Sequence, residues 1–502
     1  MSADAARAGL SALLARRVPT GLLLRLAIGW LSLDAWLLCH FIGLDSPWIA
    51  AIWLSLTVAL LGLTALPKAK TDPTVAALLC CLLIGFALMM SGGAGRFFYA
   101  NIDWQVRDAV LRDMRINPWP FVYAPDEILR APIGMYLVPA LVGKALGQSG
   151  ADLALLVQNG TLTGLALAIA SSLFDGPRSR MIGLAVFLAF SGLDIVGQAV
   201  VGHLGAVTPT AHLEGWGPTQ FSSTMTLAFW VPQHALAGWL AAIAFLLWRL
   251  ERLTVGILLA MPPLLALWSP LSAIGILPFI AYALWHDGWT RRLRPSDLAT
   301  PLIATAITLP SLAYLGAAGD RVGMHLYAMR LEPYLIFEAI EILPFLIIAV
   351  AGWRARFGGA TLAICAAMLI LLPWLQIGAS SDLAMRGSIP ALAILACHLG
   401  EALWGGWPAS ARRKAALITL LAIGGLTGVT EVARAFTYPV SPAPRCDFSS
   451  AWDVTFGAFP KDSYLATRDR MPALIRPTSP TSAAASDPRG CFDHPWARPP
   501  LF

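Results

Sequence analysis

Asp103 opens a short, highly charged stretch, "DWQVRDAVLRDMR", in a chain that consists otherwise mostly of Leu, Ala, Ile and Val. A carboxylate can act as a general base and take a proton from an acceptor hydroxyl. Arg96, Arg107 and Arg130 lie close to it in sequence, and arginine binds phosphate oxygens through charge-assisted hydrogen bonds. Because Asp103 follows an apolar run by only about ten residues, we expect it near the membrane surface, at the depth of a lipid head group.

The same stretch also fits an amphipathic helix that lies along the membrane surface. Asp103/Arg107 and Asp108/Arg112 are spaced i,i+4 and would form ion pairs on one face, while apolar residues form a stripe on another. The flanking tryptophans suit head-group depth. In this interpretation the helix braces the bundle and its charges face water, and the pattern favours neither interpretation.

Two further stretches combine polar side chains with tryptophan. "HLEGWGPTQFSS" at 212–223 predicts an outer loop in which His212, Glu214 and Gln220 could bind sugar hydroxyls; an aromatic belt with a solvated loop is slightly favoured. "WVPQHAL" puts Gln233 and His234 just inside an apolar run, where an unpaired polar group is unfavourable. A buried histidine that bonds a carbonyl is the more common explanation there.

Later loops carry more charged candidates. Asp382 and Arg386 in "SSDLAMRGS" are spaced i,i+4, so that they either pair or leave Arg386 as an anion site beside a helix N-terminus. Arg321, His325 and Arg330 in the loop 319–334 are candidate phosphate ligands.

Three of the carboxylates inside apolar runs are further candidates. Asp194 in "FSGLDIVGQ" is a functional candidate because intramembrane charge is unfavourable; alternatively it bonds Ser191 or a neighbouring helix. Glu338 and Glu341 are either structural or partners for the arginines of the loop 319–334.

Membrane-spanning helices are predicted to position these residues. The 502 residues are 57% hydrophobic and 13% charged, against about 25% charged in an ordinary soluble domain. Runs such as "PWIAAIWLSLTVALLGLTAL" approach the roughly 20 residues that cross a bilayer. The sequence therefore predicts an all-α, polytopic transmembrane bundle of about thirteen spans, whose first run stays as an anchor and is not a cleaved signal peptide.

Basic residues predict the orientation of the bundle. If the short run "IGMYLVPALVGKALG" at 133–147 lies in the interface or re-enters, and does not span, seven basic clusters fall on the cytoplasmic side. They are Arg16/Arg17, Lys68/Lys70, Arg178/Arg180, Arg249/Arg252, Arg291/Arg292/Arg294, Arg354/Arg356 and Arg412/Arg413/Lys414. The amino terminus is then inside, while the polar loops and the carboxy-terminal tail are outside.

Two regions are predicted: a bundle at 1–435, which includes the extracytoplasmic loop 93–151, and an irregular extracytoplasmic tail at 436–502. Five of the seven cysteines lie in apolar runs, whereas Cys446 and Cys491 lie in the tail. These two could form a disulfide in an oxidising compartment, so that the tail would be a small pinned lid.

Several classes of function lack their motifs. No P-loop, dinucleotide-binding, HExxH or GxSxG motif occurs in the sequence. The basic residues lie at the ends of apolar runs, so we expect no nucleic-acid partner. No cofactor is required by the pattern, although a divalent metal is compatible with it. A substrate would reach the outer loops from the membrane plane or from outside.

The chain resembles the GT-C glycosyltransferases, which transfer sugars from polyprenyl-phosphate carriers on the outer face of a membrane. The resemblance rests on the membrane-proximal aspartate in a large outer loop, the juxtamembrane amphipathic helix and the long hydrophobic bundle. Over residues 90–395 it is closer to a group of bacterial polytopic proteins of uncertain activity. The shared stretches are "DWQVRDAVLRD…PWPFVY", "PIGMYLVPALVGKALG", "FSGLDIVG", "QFSSTMTLAFWVPQHALAGW", "WSPLSAIGILPF" and "SDLAMRGSIPAL".

This resemblance implies a GT-C-like fold and specific roles. Asp103 would deprotonate the acceptor, and Arg386, with Arg321 or Arg330, would neutralise the leaving phosphate. The implied partners are a polyprenyl-phosphate sugar donor, membrane lipids, and a glycan, lipid or protein acceptor. The implied location is the bacterial inner membrane, with the site on the extracytoplasmic side.

Two alternative functions stay open. A transporter or flippase of a lipid-linked substrate would use Asp194, Glu338, Glu341 and His234 as a polar path through the bundle. Polar residues would then concentrate at the membrane midplane. A polymerase or ligase of surface polysaccharide would share the substrate class without needing the aspartate base.

Overall fold

The computed structural model describes residues 3–64, 66–290, 293–318, 322–350, 356–404, 410–484, 490–492, 494–497 and 499. Helix makes up 67% of the structure and strand 4%. The expected helical bundle is therefore confirmed as mostly helical, with a few short strands in addition.

The helices of the amino-terminal half are α1 (Ala3–Ala15), α2 (Thr20–Phe41), α3 (Pro47–Leu63), α4 (Val75–Ser91), α5 (Asp103–Ile116), α6 (Gly134–Ser171), α7 (Gly176–Ala189), α8 (Asp194–Val200), α9 (Thr224–Trp230) and α10 (Pro232–Arg249). Those that follow are α11 (Val255–Leu265), α12 (Pro270–Gly275), α13 (Leu277–Thr290), α14 (Pro295–Leu315), α15 (Leu331–Glu341), α16 (Leu343–Val350), α17 (Gly359–Leu371), α18 (Asp382–Gly387), α19 (Ile389–Trp404), α20 (Ala411–Gly424), α21 (Leu426–Thr437) and α22 (Phe448–Phe456).

Six short strands form two-stranded sheets. Strand β1 (Phe121–Val122) pairs in parallel with β6 (Thr481–Ser482), and β2 (Glu127–Leu129) pairs antiparallel with β5 (Leu465–Thr467). The third pair, β3 (Met324–Leu326) and β4 (Leu375–Ile377), is also antiparallel. Two of these sheets join the loop after α5 to the tail, so the tail is built onto that loop.

Helices long and apolar enough to cross a membrane are present. Within the described residues there are six such segments, and seven if the bent pair α15–α16 counts as one span. The six are Thr20–Phe41, Gly134–Ser171, Gly176–Val200, Pro295–Leu315, Asp382–Trp404 and Ala411–Thr437. The larger number of about thirteen spans also counts shorter apolar helices such as α3 and α4, and it stays a prediction.

Local sequence explains where several helices begin and how closely they pack. The side chains of Ser46 and Thr74 cap α3 and α4 by accepting from backbone N–H groups of the first turn. Helices α4 and α6 meet through glycine, because a Cβ on Gly85 would come within 2.5 Å of the Gly164 nitrogen. Such small residues let helix backbones approach closely in a membrane.

Basic residues from distant parts of the chain meet at one end of the bundle. Arg17 and Arg252 both bind Asp72, at 3.0 Å to its carbonyl and 2.9 Å to its carboxylate, respectively. Arg180 donates to the carbonyl of Thr71 at 2.6 Å, and Arg356 pairs with Asp175 at 2.5 Å. We call this the basic end, and it brings together residues that the positive-inside rule predicts on one side.

The polar loops and the tail lie at the opposite end, which we call the loop end. Asn101 donates to the carbonyl of Phe229 at 2.9 Å, and Arg130 donates to the carbonyls of Leu315 and Asp462 at 3.0 and 3.3 Å. The loop 93–151 and the tail, which are predicted to share one side, thus lie together. The assignment of this end to the outside stays a prediction.

Helix α6 contains two halves joined at Gly147, whose φ of +74° is not helical. The first half begins inside the bundle, because the carbonyl of Met135 accepts from the Gln158 side chain at 2.7 Å. It ends at the loop end, where Lys144 donates to the carbonyl of Asn117. The run 133–147 therefore turns back against the second half of α6, and its predicted placement in the interface or as a re-entrant segment stays a prediction.

Helix α5 is buried, which corrects the interpretation of an interfacial brace with charges in water. Arg107, Asp108 and Asp113 are at most 3% exposed. The tail causes this burial: α22 packs on α5, and the Phe448 N–H donates to Asp113 at 2.7 Å. The predicted Asp108/Arg112 pair is also wrong, since Arg112 bonds Asp113 at 2.8 Å.

A disulfide between Cys446 and Cys491 closes the tail. The tail is less irregular than expected, because it contains α22 as well as β5 and β6.

Candidate functional site

Asp103 and Arg107 form the predicted i,i+4 pair at the start of α5. Arg107 Nη2 lies 3.3 Å from Asp103 Oδ2, and Nη1 donates to Gln233 Oε1 at 2.5 Å. Arg107 is 2% exposed, whereas the Asp103 side chain is 25% exposed. The pair thus consists of a buried cation and a carboxylate that solvent can reach.

Arg386 and Asp382 reach the same place from α18. They form an ion pair with each other, as one of the two predicted alternatives has it. Burial raises the pKa of the Tyr464 hydroxyl, Arg107 and Arg386 lower it, and Asp103 and Asp382 raise it. All four charged groups therefore act electrostatically on Tyr464. We call these five residues, with Gln233 and Tyr136, the central cluster.

Tyr136 belongs to the central cluster because it faces Arg107. It is 1% exposed, and its hydroxyl has no hydrogen-bond partner among the described residues. The Nε of Arg107 also lacks a partner there. Tyr136 is the strongest of the groups that raise the pKa of Arg107 against the lowering effect of burial. The buried Nε of Arg107 thus remains available for an acceptor such as a phosphate or hydroxyl oxygen.

His234 borders the central cluster but bonds a hydroxyl, not the expected carbonyl. Its Nδ1 lies 2.8 Å from Ser269 Oγ, at the break between α11 and α12. Ser269 also caps α12, and Ser272 Oγ donates to the carbonyl of Arg386 at 3.0 Å. This break therefore fixes the backbone position of Arg386.

Two predicted arginines serve other contacts. Arg96 Nε binds Asp152 on α6 at 3.0 Å. The Arg130 side chain donates to the carbonyls of Leu315 and Asp462 and so joins these two backbone segments. Both support the loop end. Neither side chain bonds a charged group of the central cluster, although the backbone N–H of Arg130 donates to the carbonyl of Tyr464 at 2.7 Å.

His212, Glu214 and Gln220 form a separate polar group. His212 Nδ1 bonds Glu431 at 2.7 Å, while Glu214 accepts from Gln220 and, at 2.8 Å, from the Ser223 N–H. His212 and Glu214 are buried, which corrects the favoured interpretation of this segment as a solvated loop. Burial above all, and then Asp194, raises the pKa of Glu214 to about 7.

The remaining candidates lie on the surface or outside the described residues. His325 on β3 and Arg330 before α15 are exposed. Arg321 lies outside the described residues. The structure therefore supplies no contact between this loop and the central cluster.

Two members of the central cluster, Tyr136 and Tyr464, are absent from the sequence-based candidates. Tyr136 stands in an apolar run, and Tyr464 stands in a tail expected to be irregular. Tyr464 is brought in by its neighbouring strand β5, which pairs with β2. The only sequence feature that marks Tyr464 is local composition, because the segment "KDSYLAT" places one aromatic residue between polar residues.

Outside the central cluster, a cavity of about 340 Å³ lies at the basic end. The residues that line it include Glu251, Arg252, Asp287, Arg294 and Asp297. Among the described residues, no group of three or more His, Cys, Asp or Glu side chains has the arrangement of a metal site.

No protein-family model matches the chain, and neither a curated protein nor a solved structure is significantly similar to it.

Proposed function

We propose that the protein is a GT-C-type glycosyltransferase that moves a sugar from a polyprenyl-phosphate carrier to an extracytoplasmic glycan, lipid or protein acceptor. The proposal depends on one observation: Asp103 and Arg386, which are far apart in sequence, both act electrostatically on the Tyr464 hydroxyl, as does Arg107, which pairs with Asp103. A base and fixed positive charge in one place are what such a transfer needs.

Each member of the central cluster has a proposed role. Asp103, the more exposed partner, takes the proton of the acceptor hydroxyl. Arg107 orients Asp103, and its free Nε is aimed at an incoming oxygen. Arg386 exchanges its bond to Asp382 for the leaving phosphate, because a guanidinium binds phosphate in two-point geometry.

We propose that the tail moves to admit a large donor to the central cluster. Tyr464 belongs to the tail, and its backbone carbonyl accepts from the Arg130 N–H at 2.7 Å. In the proposed cycle the segment that carries β5 lifts to admit the lipid-linked donor. In this proposal the site faces the outside of a bacterial inner membrane. The bundle that carries the site has the roughly thirteen spans that the sequence predicts.

Substitution of Asp103 by Asn tests the proposal. We expect loss of sugar transfer from a synthetic polyprenyl-phosphate sugar in membranes that contain the protein. A matched control is Asp126→Asn, since Asp126 is an exposed loop-end carboxylate paired with Arg468. Full transfer by the Asp103 variant, with an unchanged unfolding temperature, would reject the assignment of the base.

A transporter or flippase is the second candidate, because Asp194 and Glu341 are buried inside the bundle at broken helices. Discontinuous helices with buried charge characterise transport sites. Movement of a labelled polyprenyl phosphate across vesicles that contain the purified protein, without transfer, would favour this function. A polymerase or ligase of surface polysaccharide would show transfer only to a growing glycan.

A further inference from the structure

Three interrupted helices meet at Ser191 and Gly192. The α7–α8 segment is unwound there, and α20–α21 breaks at Gly424, where a Cβ would lie 2.8 Å from the carbonyls of both residues. The α15–α16 pair bends by 51° immediately after Glu341. We call this place the helix junction.

Two carboxylates are buried in the helix junction. Asp194 and Glu341 are each 1% exposed. A Cβ on Gly192 would lie only 1.5 Å from Glu341 Oε2, so this carboxyl group occupies space that only a glycine leaves free. The side chain of Glu341 is therefore directed at the unwound backbone beside Asp194.

Hydrogen bonds distinguish the two carboxylates. Asp194 Oδ2 accepts from Ser191 Oγ at 2.8 Å and from Thr427 Oγ1 at 2.7 Å. Glu341 Oε1 accepts from Trp216 Nε1 at 2.9 Å, whereas Oε2 has no donor among the described residues. Asp194 thus has the donors of an ionised group, and Glu341 has one oxygen that can carry a proton.

The surroundings contain acceptors in excess of donors. The charged groups that act on Glu341 are the carboxylates of Asp194 and Glu214. Gln198, one helical turn after Asp194, is 1% exposed, and its Oε1 also has no donor among the described residues. Its Nε2 donates to the carbonyl of Leu213 at 2.9 Å, which fixes the orientation of the amide. A bound proton or cation stabilises a buried site in which acceptors exceed donors, because adjacent carboxylates at low dielectric cannot both ionise.

We propose that Glu341 and Asp194 form a proton-binding site, in which Glu341 holds one proton and shares it with Asp194. Glu214 and His212 exchange this proton with the loop end. The site is separate from the central cluster and does not rest on the proposed transferase activity.

The exchange route follows groups that interact electrostatically or through hydrogen bonds. Asp194 is close enough to Glu214 to raise its pKa after burial, and His212 lowers that pKa. His212 bonds Glu431, which lies 3.7 Å from Arg434. Glu431 and Arg434 line a small cavity with Tyr99 and Asn101, with room for about one water molecule at the loop end.

Infrared spectroscopy of the full-length protein in lipid nanodiscs at neutral pH tests the site. We expect one protonated-carboxyl band to be lost in Glu341→Gln. The band should be unchanged in the matched control Glu332→Gln, because Glu332 lies on the same helix but is exposed. After transfer into D2O, the shift of the protonated-carboxyl band reports exchange of its proton for a deuteron. We expect this shift to be several-fold slower in Glu214→Gln than in the wild type.

Three results would overturn the proposal. The first is a spectrum in which Glu341→Gln keeps every carboxyl band of the wild type, with an unchanged unfolding temperature. The second is loss of the wild-type band when Na⁺ replaces K⁺, which would make the site a sodium site. The third is unchanged exchange in Glu214→Gln, which would reject the route. None of these measurements uses sugar transfer. A result that rejects the proton-binding site is therefore distinguishable from one that rejects the transferase proposal.

Discussion

Arg107 holds together two parts of the chain at the scale of single residues. We expect Arg107→Gln to lower the free energy of unfolding by about 3 kcal/mol, because removal of one member of a buried charged contact leaves its partners unsatisfied. The partners here are Gln233 and Asp103. Chemical denaturation in detergent measures the change. Arg413→Gln, on an exposed position, should change the value by less than about 0.5 kcal/mol.

Asp108 should make stability depend on pH. Burial, and to a smaller extent Asp152, raises its pKa to about 8 against the lowering effects of Arg96 and Arg107. The folded state therefore keeps a proton that the unfolded state releases near pH 4. This contribution is fully present below about pH 4 and is lost, at about 1.4 kcal/mol per pH unit, as pH rises to about 8.

Thermal unfolding of Asp108→Asn between pH 5 and 8 checks this sign. The neutral amide removes the titration, so stability should fall less steeply with pH than in the wild type. Asp453→Asn, an exposed control, should keep the wild-type slope. Parallel curves for wild type and Asp108→Asn would contradict the prediction.

Residue spacing predicted only the contacts that lie within one helix. Asp103/Arg107 and Asp382/Arg386 follow from i,i+4 geometry. The electrostatic interaction of Tyr464 with Arg107 depends on strand pairing between a loop and a tail, and no local pattern encodes it. The burial of α5 was missed for the same reason.

At the scale of helices, apolar runs predicted helix but not where helices break. Asp194 lies in one such run, yet Ser191 and Gly192 unwind it because Glu341 and Gly424 pack against their backbone. Apolar composition is the same in an unbroken span and in a broken one. The breaks therefore come from tertiary packing, which the hydropathy of one segment does not contain.

Gly147 provides a test of the turn between the two halves of α6. Its φ of +74° and ψ of −165° lie in a region that residues with a Cβ avoid. No atom lies within 4 Å of the position of an added Cβ, so the effect of Gly147→Ala is due to the backbone alone. We expect destabilisation of about 1–3 kcal/mol. Gly62→Ala, inside α3 with equally free space, should be neutral or slightly stabilising.

At the scale of the whole molecule, charge predicted more than hydropathy did. The basic clusters around Arg17, Arg180, Arg252 and Arg356 meet at one end, as the positive-inside rule requires. The number of spans was harder to predict, because short helices such as α11 turn back through α12 and α13 at a break. The sequence of an apolar run does not determine whether the run crosses the membrane or turns back within it.

The predicted orientation is tested by labelling single cysteines in intact cells. Leu474 in the tail is 87% exposed, and Lys68 at the basic end is also exposed. A membrane-impermeant maleimide should label Leu474→Cys directly and Lys68→Cys only after permeabilisation, because the basic end is predicted in the cytoplasm. Cys80, an exposed free cysteine, is first replaced by Ser to remove background. The reverse labelling pattern would put the central cluster in the cytoplasm, where a donor on the outer face of the membrane could not reach Asp103.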